Sequence, residues 1–538
     1  MIKSTIKNKL LIVVLTMLIT APAFSQQKAR PNILFIAIDD LKPILGCYGD
    51  KLIKTPNIDR LAKMGTVFMR NYVQQAVCGP TRASLMTGKR PDYTKVWDLK
   101  TKMRDINPAI LSLPQYLITQ GYTTQGIGKV YDVRCVDSDI DKPSWSVPYY
   151  KTNAKYFGKY GEPAEGRYQL PETKALAEKY IKEALDNGKT KAEANEYVQT
   201  KIKPSVENAD VPDYAYSDGA NVLQAIDILG ELKKKNQPFF FAVGIAKPHL
   251  PFVAPKKYWD LYKREDLPLA PFQEKTKNGV DIAYHNAGEM RGYTDIPPLT
   301  SFTDQKPYGI TLPADKQQEL IHGYYAAISY ADAQVGKLLN TLDSLGLIKN
   351  TIIVLWGDHG WHLGDHNLWC KHTNFEQATN APLIIAAPGI APSKTSALTE
   401  HIDIFPTLCD LAGVKIPAIL DGKSLMPLMK NLAASVKEFA VSQYPRSGTT
   451  AENERLGYAD PNAMGYSIRT KQYRYTIWMS NGYRSNKPFD KNLVIGTELY
   501  DYKNDPLETV NVVNDKKYTA ITKEMNTKMK SFFKSQVK

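Results

Sequence analysis

The chain has 538 residues, a hydrophobic content of 43% and a formal net charge of +14 at pH 7. Its length exceeds that of one ordinary domain, and its composition excludes a disordered or fibrous protein. Five cysteines are too few for a disulfide scaffold, and the basic charge favours an anionic substrate through long-range attraction. The sequence contains no motif typical of nucleic-acid binding, so we expect no nucleic-acid partner.

Residues 1–25 have the features of an export signal. Lys3, Lys7 and Lys9 precede an apolar run at 10–19, and small residues follow at the usual cleavage spacing. The run is too short to cross a bilayer as a helix, although an uncleaved anchor is the alternative. No later stretch is long and apolar enough to cross a membrane. We therefore expect a cleaved signal peptide and a periplasmic or secreted protein.

From residue 32 onwards, apolar runs alternate with helical patterns. Continuous apolar runs predict strands that are buried on both faces of a parallel sheet, at 32–38, 239–243 and 351–355. Helices are predicted from Pro56, at 220–232 and at 317–345. This alternation predicts an α/β fold with a large mixed or parallel central sheet that is flanked by helices.

The pattern changes near residue 436. Short segments rich in aromatic and β-branched residues predict an antiparallel sheet, at 465–470, 473–478 and 498–502. A helix is predicted to close this part at 519–533. We therefore expect a large domain at 26–435, which carries the chemistry, and a smaller C-terminal α+β subdomain at 436–538.

Polar side chains follow two of the predicted buried strands. Asp39 and Asp40 come after the first strand, and Asp358 and His359 follow the strand at 351–355. Open α/β sheets bind ligands at the carboxyl ends of their strands, so these side chains are expected to meet. Three carboxylates favour calcium, with magnesium possible, whereas the histidine leaves zinc or manganese open. A solvated turn is the alternative for the aspartate pair alone.

Residues 78–88 have the sequence C-G-P-T-R-A-S-L-M-T-G, which resembles the C-x-P-x-R signature of type I formylglycine-dependent sulfatases. These enzymes belong to the alkaline-phosphatase superfamily. The chain is most similar to their iduronate-2-sulfatase branch, because this branch has a histidine at the position of His359, where many sulfatases have asparagine. Further matching stretches are Gly128-Lys129-Val130, Lys247-Pro248-His249-Leu250-Pro251-Phe252 and Asp358-His359-Gly360-Trp361.

The resemblance implies a role for each matching residue. A maturation enzyme would convert Cys78 to formylglycine (3-oxoalanine), whose hydrate is the nucleophile. An oxygen of the modified Cys78 would join Asp39, Asp40, Asp358 and His359 around Ca²⁺ or, alternatively, Mg²⁺. Arg82 and Lys129 would hold the hydrate of the modified Cys78. His249 and Lys371 would contact the sulfate, and either His249 or Lys371 would protonate the departing sugar oxygen.

The chain departs from the family pattern at two positions. Thr81 replaces the usual serine of the signature but keeps the hydroxyl group. Asp132 stands where the family has a histidine that helps to deprotonate the hydrate. We hypothesise that the Asp132 carboxylate is the base, which its chemistry permits. The alternative is that the loop is shaped differently and Asp132 takes no part.

The resemblance implies hydrolysis of sulfate esters on a sulfated carbohydrate such as ulvan, carrageenan or a glycosaminoglycan. An iduronate-2-sulfatase-type glycosaminoglycan exosulfatase is a narrower alternative. A phosphatase or phosphodiesterase of the same superfamily is another alternative. Such enzymes use two metals and a serine or threonine, so the C-x-P-x-R signature argues against it. A sulfoglycan-binding protein without turnover is expected if Cys78 stays unmodified. The loops at 142–208 and 451–462 are predicted to select the sugar.

Overall fold

The structure is a computed structural model that describes residues 30–285, 287–297, 312–446, 463–480 and 490–536. The strands within these residues are β1 (Asn32–Ile38), β2 (Thr66–Tyr72), β3 (Thr123–Gly128), β4 (Val206–Glu207), β5 (Phe239–Ile245), β6 (Phe252–Val253), β7 (Thr351–Gly357), β8 (His362–Leu363), β9 (Trp369–Cys370), β10 (Leu383–Ala386), β11 (Ser393–Glu400), β12 (Ala440–Arg446), β13 (Ala463–Arg469), β14 (Tyr473–Met479) and β15 (Val494–Asp501). The α-helices are α1 (Pro56–Ala62), α2 (Cys78–Thr87), α3 (Pro91–Thr94), α4 (Met103–Ile106), α5 (Leu113–Thr119), α6 (Pro171–Asp186), α7 (Lys191–Lys201), α8 (Ser217–Lys234), α9 (Lys256–Trp259), α10 (Ala314–Ser344), α11 (Glu376–Thr379), α12 (Ile404–Leu411), α13 (Met426–Lys430) and α14 (Thr519–Gln536).

A seven-stranded mixed sheet organises the larger part of the protein, in the order β11-β2-β10-β7-β1-β5-β3. The strand β1 lies between β5 and β7 and is parallel to both. The strand β10 runs antiparallel to its neighbours β7 and β2, which makes the sheet mixed. The carboxyl ends of β1, β5 and β7 therefore lie together at one edge of the sheet.

Both faces of this sheet are covered, as the unbroken apolar sequences of the central strands require. On one face, Leu34 and Ile36 pack into a core with the side chains of α1, α8 and α10. On the other face, Ile33 and Phe35 pack into a second core with α2, α5 and α12. Full burial of each large apolar side chain contributes about 1.5–3 kcal/mol. The result is a layered α/β architecture.

The C-terminal part contains a four-stranded antiparallel sheet in the order β12-β13-β14-β15. Its core includes Met525, Met529 and Phe532 of the final helix. The predicted fold class, an α/β sheet followed by an antiparallel sheet and a helix, is therefore confirmed. The described residues from Pro31 onwards form one compact unit, and the division near residue 436 stays a prediction.

Two predictions concern residues that the structure does not describe, namely the export signal at 1–25 and the loop at 451–462. Among the described residues, no helix has the length and the apolar character needed to cross a membrane. All five cysteines, which the sequence could not assign to disulfides, are free thiols.

Candidate active site

The metal-binding candidates meet at the carboxyl edge of the central sheet. The N–H of Asp39 donates to Ile245 O at 3.0 Å, and the N–H of Asp358 donates to Ile38 O at 3.1 Å, so both residues continue the strand ladder. Asp40 has a φ of +57°, a left-handed conformation that is uncommon for a residue other than glycine. Its N–H donates to Asp358 Oδ1 at 2.8 Å, which ties the two strand ends together.

Helix α2 brings Cys78 and Arg82 to this edge. The two residues lie four positions apart, so one face of the helix carries both side chains. The Arg82 guanidinium is completely buried and donates to Asp39 Oδ1 at 2.9 Å and to Asp358 Oδ2 at 3.0 Å. It also donates to Val130 O at 2.9 Å. Arg82 therefore links the helix, both strand ends and the segment that follows β3.

Lys129 reaches the site because two glycines let β3 and β5 approach closely. Gly128 has a φ of +76°, and a Cβ on Gly244 would lie 2.1 Å from the carbonyl carbon of Lys129. The Lys129 Nζ forms an ion pair with Asp39 and lies 3.8 Å from Cys78 Sγ. The structure thus brings the predicted pair of Arg82 and Lys129 to Cys78.

The donor set around Cys78 fits a hard divalent cation. Two overlapping groups each contain potential ligand atoms that lie within 4.8 Å of one another. The first group contains Asp40, Cys78, Asp358 and His359, and the second contains Asp39, Asp40, Cys78 and His249. His359 Nδ1 lies 3.0 Å from Gly360 O, a carbonyl that can accept a hydrogen bond from it. The other ring nitrogen, Nε2, faces Asp40 Oδ1 at 3.2 Å and Cys78 Sγ at 3.4 Å, which is where a metal ligand would be needed. Three carboxylates and one imidazole suit calcium or magnesium by their chemistry.

His249 and Lys371 complete the ring of predicted residues, together with Glu289, which sequence reasoning missed. Lys371 Nζ donates to Asp40 Oδ2 and to Glu289 Oε1, each at 3.0 Å. His249 Nε2 lies 3.2 Å from Glu289 Oε1, and its Nδ1 contacts Leu250 O at 2.6 Å. Glu289 comes from a segment without regular periodicity, so no pattern in the sequence could have identified it.

Burial and charge set the protonation of the central groups. Burial raises the pKa of Asp39, but the charges of Lys129 and Arg82 outweigh it and hold that pKa well below the usual value. Burial and the charge of Asp39 raise the pKa of the Cys78 thiol well above the usual value. An unmodified Cys78 would therefore carry its proton at neutral pH and would be a weak nucleophile.

Asp132 lines a cavity together with Cys78, but its carboxylate is paired with Arg134. The Arg134 guanidinium donates to both oxygens of the Asp132 carboxylate, at 2.8 Å and 2.7 Å. Burial raises the pKa of Asp132, but these hydrogen bonds and the charge of Lys129 outweigh it and lower that pKa. The role of Asp132 as the base stays a prediction.

The C-terminal sheet supports the loops that carry Lys371 and Glu289. Arg446, at the end of β12, donates to His372 O at 2.9 Å, to Ile282 O at 2.8 Å and to Ala283 O at 2.8 Å. One guanidinium thus joins the segment after β9 to the segment before Glu289. The sequence reasoning did not detect this contact.

Comparison with known proteins identifies the family of the chain. A profile of the family described as Sulfatase matches residues 31–414, and one described as N-sulphoglucosamine sulphohydrolase, C-terminal, matches residues 364–535. Iduronate 2-sulfatase of Homo sapiens is 34% identical over 536 residues, which cover 90% of this chain and 91% of the relative. A sulfatase of Formosa agariphila is 30% identical and covers 91% of this chain and 84% of the relative.

A solved structure extends the comparison to the fold. An enzyme in complex with its substrate D-glucosamine-2-N,6-O-disulfate superposes with a TM-score of 0.68 at 22% identity, covering 94% of this chain and 98% of the other. At that identity the likeness supports the alkaline-phosphatase-like fold alone. The family match and the identity to iduronate 2-sulfatase confirm the predicted resemblance. The chain belongs to the sulfatase family and is a hydrolase of sulfuric esters.

Proposed function

We propose that the protein removes sulfate from a sulfated carbohydrate, with formylglycine made from Cys78 as its nucleophile and a bound calcium ion. The observation that carries this proposal is the position of Cys78 Sγ, 3.4 Å from His359 Nε2, 3.8 Å from Lys129 Nζ and 3.9 Å from Asp40 Oδ1. A nucleophilic oxygen at this residue would lie beside both a metal-binding set and a cation.

The residues for the metal are those that the sequence predicted. Asp39, Asp40, Asp358 and His359 would hold Ca²⁺, or alternatively Mg²⁺, with an oxygen of the modified Cys78. When bound, a divalent cation supplies positive charge that stabilises the transferring sulfate group. The aldehyde of formylglycine, once hydrated, supplies the attacking hydroxyl group.

Arg82 and Lys129 orient residue 78 in this proposal. Arg82 is locked by two carboxylates and a carbonyl, so it fixes the start of α2 and with it the direction of the nucleophile. Lys129 faces Cys78 from the carboxyl end of β3 and would favour an anionic oxygen there.

His249 is the better of the two candidates for the general acid. Its Nδ1 lies 2.6 Å from Leu250 O, which leaves Nε2 as the ring nitrogen that faces the site, 3.2 Å from Glu289 Oε1. The Lys371 ammonium instead directs its donors to Asp40 and Glu289, and we assign it a purely electrostatic role. His249 would therefore protonate the departing sugar oxygen.

The charge of the site requires a divalent cation before it favours a sulfate ester. Four carboxylates and three cations contact one another there, namely Asp39, Asp40, Glu289 and Asp358 with Arg82, Lys129 and Lys371. These side chains carry one net negative charge, four minus three. A divalent cation reverses the sign, and the proton that His249 would carry as the acid adds to it, so the loaded site attracts the negative charge of a sulfate ester.

The substrate class is proposed from the family match and the relatives. The human relative's name specifies a 2-sulfated iduronate, and a glycosaminoglycan exosulfatase of that type is the narrower alternative for this chain. Ulvan and carrageenan oligosaccharides are the other members of the class that we propose. A maturation enzyme that makes formylglycine would be a protein partner.

Location is a proposal that rests on the sequence alone. The signal at 1–25 would export the chain to the periplasm or the medium, where large sulfated polysaccharides can be reached. Fractionation of cells that express the full chain, with sequencing of the mature N terminus, would test this. Retention of the intact leader in the cytoplasm would contradict it.

Sulfate release from a panel of defined oligosaccharides tests the function. The protein is produced with the maturation enzyme, and mass spectrometry first establishes formylglycine at position 78. The panel holds 2-sulfated uronate disaccharides, ulvan fragments and carrageenan fragments, with Cys78→Ala as the control. Release by the wild type alone supports the proposal. Tight binding without release, together with an unmodified Cys78, would instead indicate the non-catalytic sulfoglycan-binding protein.

The assignment of the acid is tested with leaving groups. A His249→Gln variant should lose about 100-fold or more in kcat on a sugar sulfate. It should lose much less on 4-nitrophenyl sulfate, whose leaving group needs little protonation. Lys371→Ala should lose activity on both substrates equally. An equal loss on both substrates for His249→Gln would contradict its role as the acid.

A further inference from the structure

The cavity above Cys78 contains two cationic side chains that the proposed chemistry does not use. The cavity has a volume of about 620 Å³, within the ordinary range for small-ligand sites, and Arg167 and Lys203 line it together with Cys78, His249 and Lys371. Arg167 lies in the loop before α6, and Lys203 follows α7. Both belong to the segment that the sequence predicted to select the sugar.

The other cations of the cavity already have carboxylate partners. Lys129 pairs with Asp39, Arg134 pairs with Asp132, and Lys371 pairs with two acidic side chains. Among the described residues, by contrast, neither Arg167 nor Lys203 forms an ion pair with a carboxylate. These two side chains are therefore available to a ligand.

The backbone holds the two cations near each other. Tyr168, which follows Arg167 and is buried, donates its hydroxyl proton to Pro204 O at 2.8 Å. Lys203 is fixed by a reciprocal pair of bonds to Thr294, at 3.0 Å and 2.9 Å, and its Nζ lies 4.7 Å from the centre of the Tyr293 ring. The positions of both residues are therefore built into the fold.

Two neighbouring like charges repel each other unless an anion lies between them. Burial and the charge of Arg167 lower the pKa of Lys203, and the charge of Glu289 offsets this only in part. An anionic group bound by both side chains would remove this repulsion and would form charge-assisted hydrogen bonds. Arg167 offers a planar fork that suits carboxylate and sulfate oxygens.

We propose that Arg167 and Lys203 form a second anion subsite, which binds a carboxylate or a second sulfate of the same carbohydrate whose sulfate ester lies at Cys78. This inference rests on the proposed function and narrows its substrate class to saccharides that carry two anionic groups within one cavity. A saccharide with one sulfate and no other charge would bind more weakly and turn over less efficiently.

Matched substrates separate the two sources of the second charge. One pair is a 2-sulfated uronate disaccharide and its carboxyl-reduced counterpart. The other pair is a disulfated and a monosulfated neutral disaccharide. The wild type should prefer the doubly charged member of at least one pair by about 10- to 100-fold in kcat/KM, mainly through KM. The pair that shows the preference identifies the anion.

Variants then locate the preference. Arg167→Ala together with Lys203→Ala should abolish the preference and leave kcat/KM for the singly charged member within about threefold, while Arg167→Lys should retain part of it. Lys201→Ala is the matched control, because this exposed lysine lies two residues away and does not line the cavity. Equal losses on both members of a pair, or an unchanged preference in the double variant, would overturn the inference.

A binding readout keeps this test separate from turnover. Calorimetry with the Cys78→Ala background measures the affinity for each disaccharide pair with and without the Arg167 and Lys203 substitutions. Differential affinity that disappears in the double variant supports the subsite even if no sulfate is released, and the proposed function alone would then be wrong. Turnover without any differential affinity leaves the function standing and refutes the subsite.

Discussion

The close contact between β3 and β5 makes the catalytic geometry sensitive to a single methyl group. In Gly244→Ala, the added Cβ would lie 2.1 Å from the carbonyl carbon of Lys129 and 2.3 Å from its nitrogen, whereas ordinary contact begins at 3.4 Å. The opposing atoms belong to the main chain, so a change of rotamer cannot relieve the clash. The end of β3 must therefore move by about 1.3 Å, the difference between 3.4 Å and 2.1 Å.

This displacement moves Lys129 relative to Cys78. The two side chains are now separated by 3.8 Å, and Lys129 also pairs with Asp39. Misplacement of a catalytic group by about 1 Å lowers turnover by about 100-fold. Insertion of a methyl group into a closely packed site also destabilises the fold by about 1–3 kcal/mol. We expect both effects in Gly244→Ala.

The assay compares sulfate release and thermal unfolding of this variant with those of Gly230→Ala. Gly230 lies in α8, and nothing lies within 4 Å of the position its Cβ would take, so the same substitution there should leave kcat unchanged and stabilise the helix by about 0.5–1 kcal/mol. If Gly244→Ala retained kcat within threefold at an unchanged midpoint of unfolding, the strand contact would not position Lys129 and the reasoning would be refuted.

Three further predictions follow from other contacts. Burial raises the pKa of Glu376, but the charges of Arg469 and Arg474 outweigh it and lower that pKa to about 2. The ionised carboxylate therefore stabilises the fold above the unfolded pKa of about 4.3, and this contribution is lost as the pH falls towards 2. Glu376→Gln should accordingly lower the free energy of unfolding at pH 7 by about 2–3 kcal/mol and flatten its decline between pH 5 and 3 in denaturant titrations, and an unchanged pH profile would contradict this. Exhaustive chelation should abolish sulfate release and lower the midpoint of thermal unfolding, both restored by Ca²⁺, whereas full activity of the metal-free protein, verified by elemental analysis, would exclude the metal site. Asp132→Asn should reduce kcat by about 100-fold if Asp132 is the base, and unimpaired turnover would remove that hypothesis.

The sequence predicted the central strands well because they are apolar throughout. The run at 32–38 coincides with β1, and the run at 351–355 lies inside β7. The strand β3, at the edge of the sheet, was missed because its sequence, T-T-Q-G-I-G, contains only one large apolar residue and therefore no apolar run. Pairing with β5 and the contact at Gly128 decide its conformation, and neither is visible in a local pattern.

The same limit applies to the site. Asp39 and Asp358 were predicted to meet because parallel strands place their carboxyl ends at one edge, and the structure brings them together on Arg82. Glu289 could not be predicted, because it lies in an irregular segment whose position depends on tertiary contacts, and Arg167 was covered only by the prediction for the whole segment at 142–208. A motif identifies residues that the chemistry requires, whereas it carries no information on the loops that surround them.

The three hydrogen bonds of Arg446 have a consequence for chimeric enzymes and for recombination between relatives. This side chain belongs to the C-terminal sheet, yet it joins the loop of Lys371 to the segment that leads to Glu289. A crossover near residue 436 would therefore bring in Arg446 from one parent and the two segments that it contacts from the other parent. We expect functional hybrids only when β12 is exchanged together with both loops. The segments that must come from the same parent are therefore not contiguous in sequence.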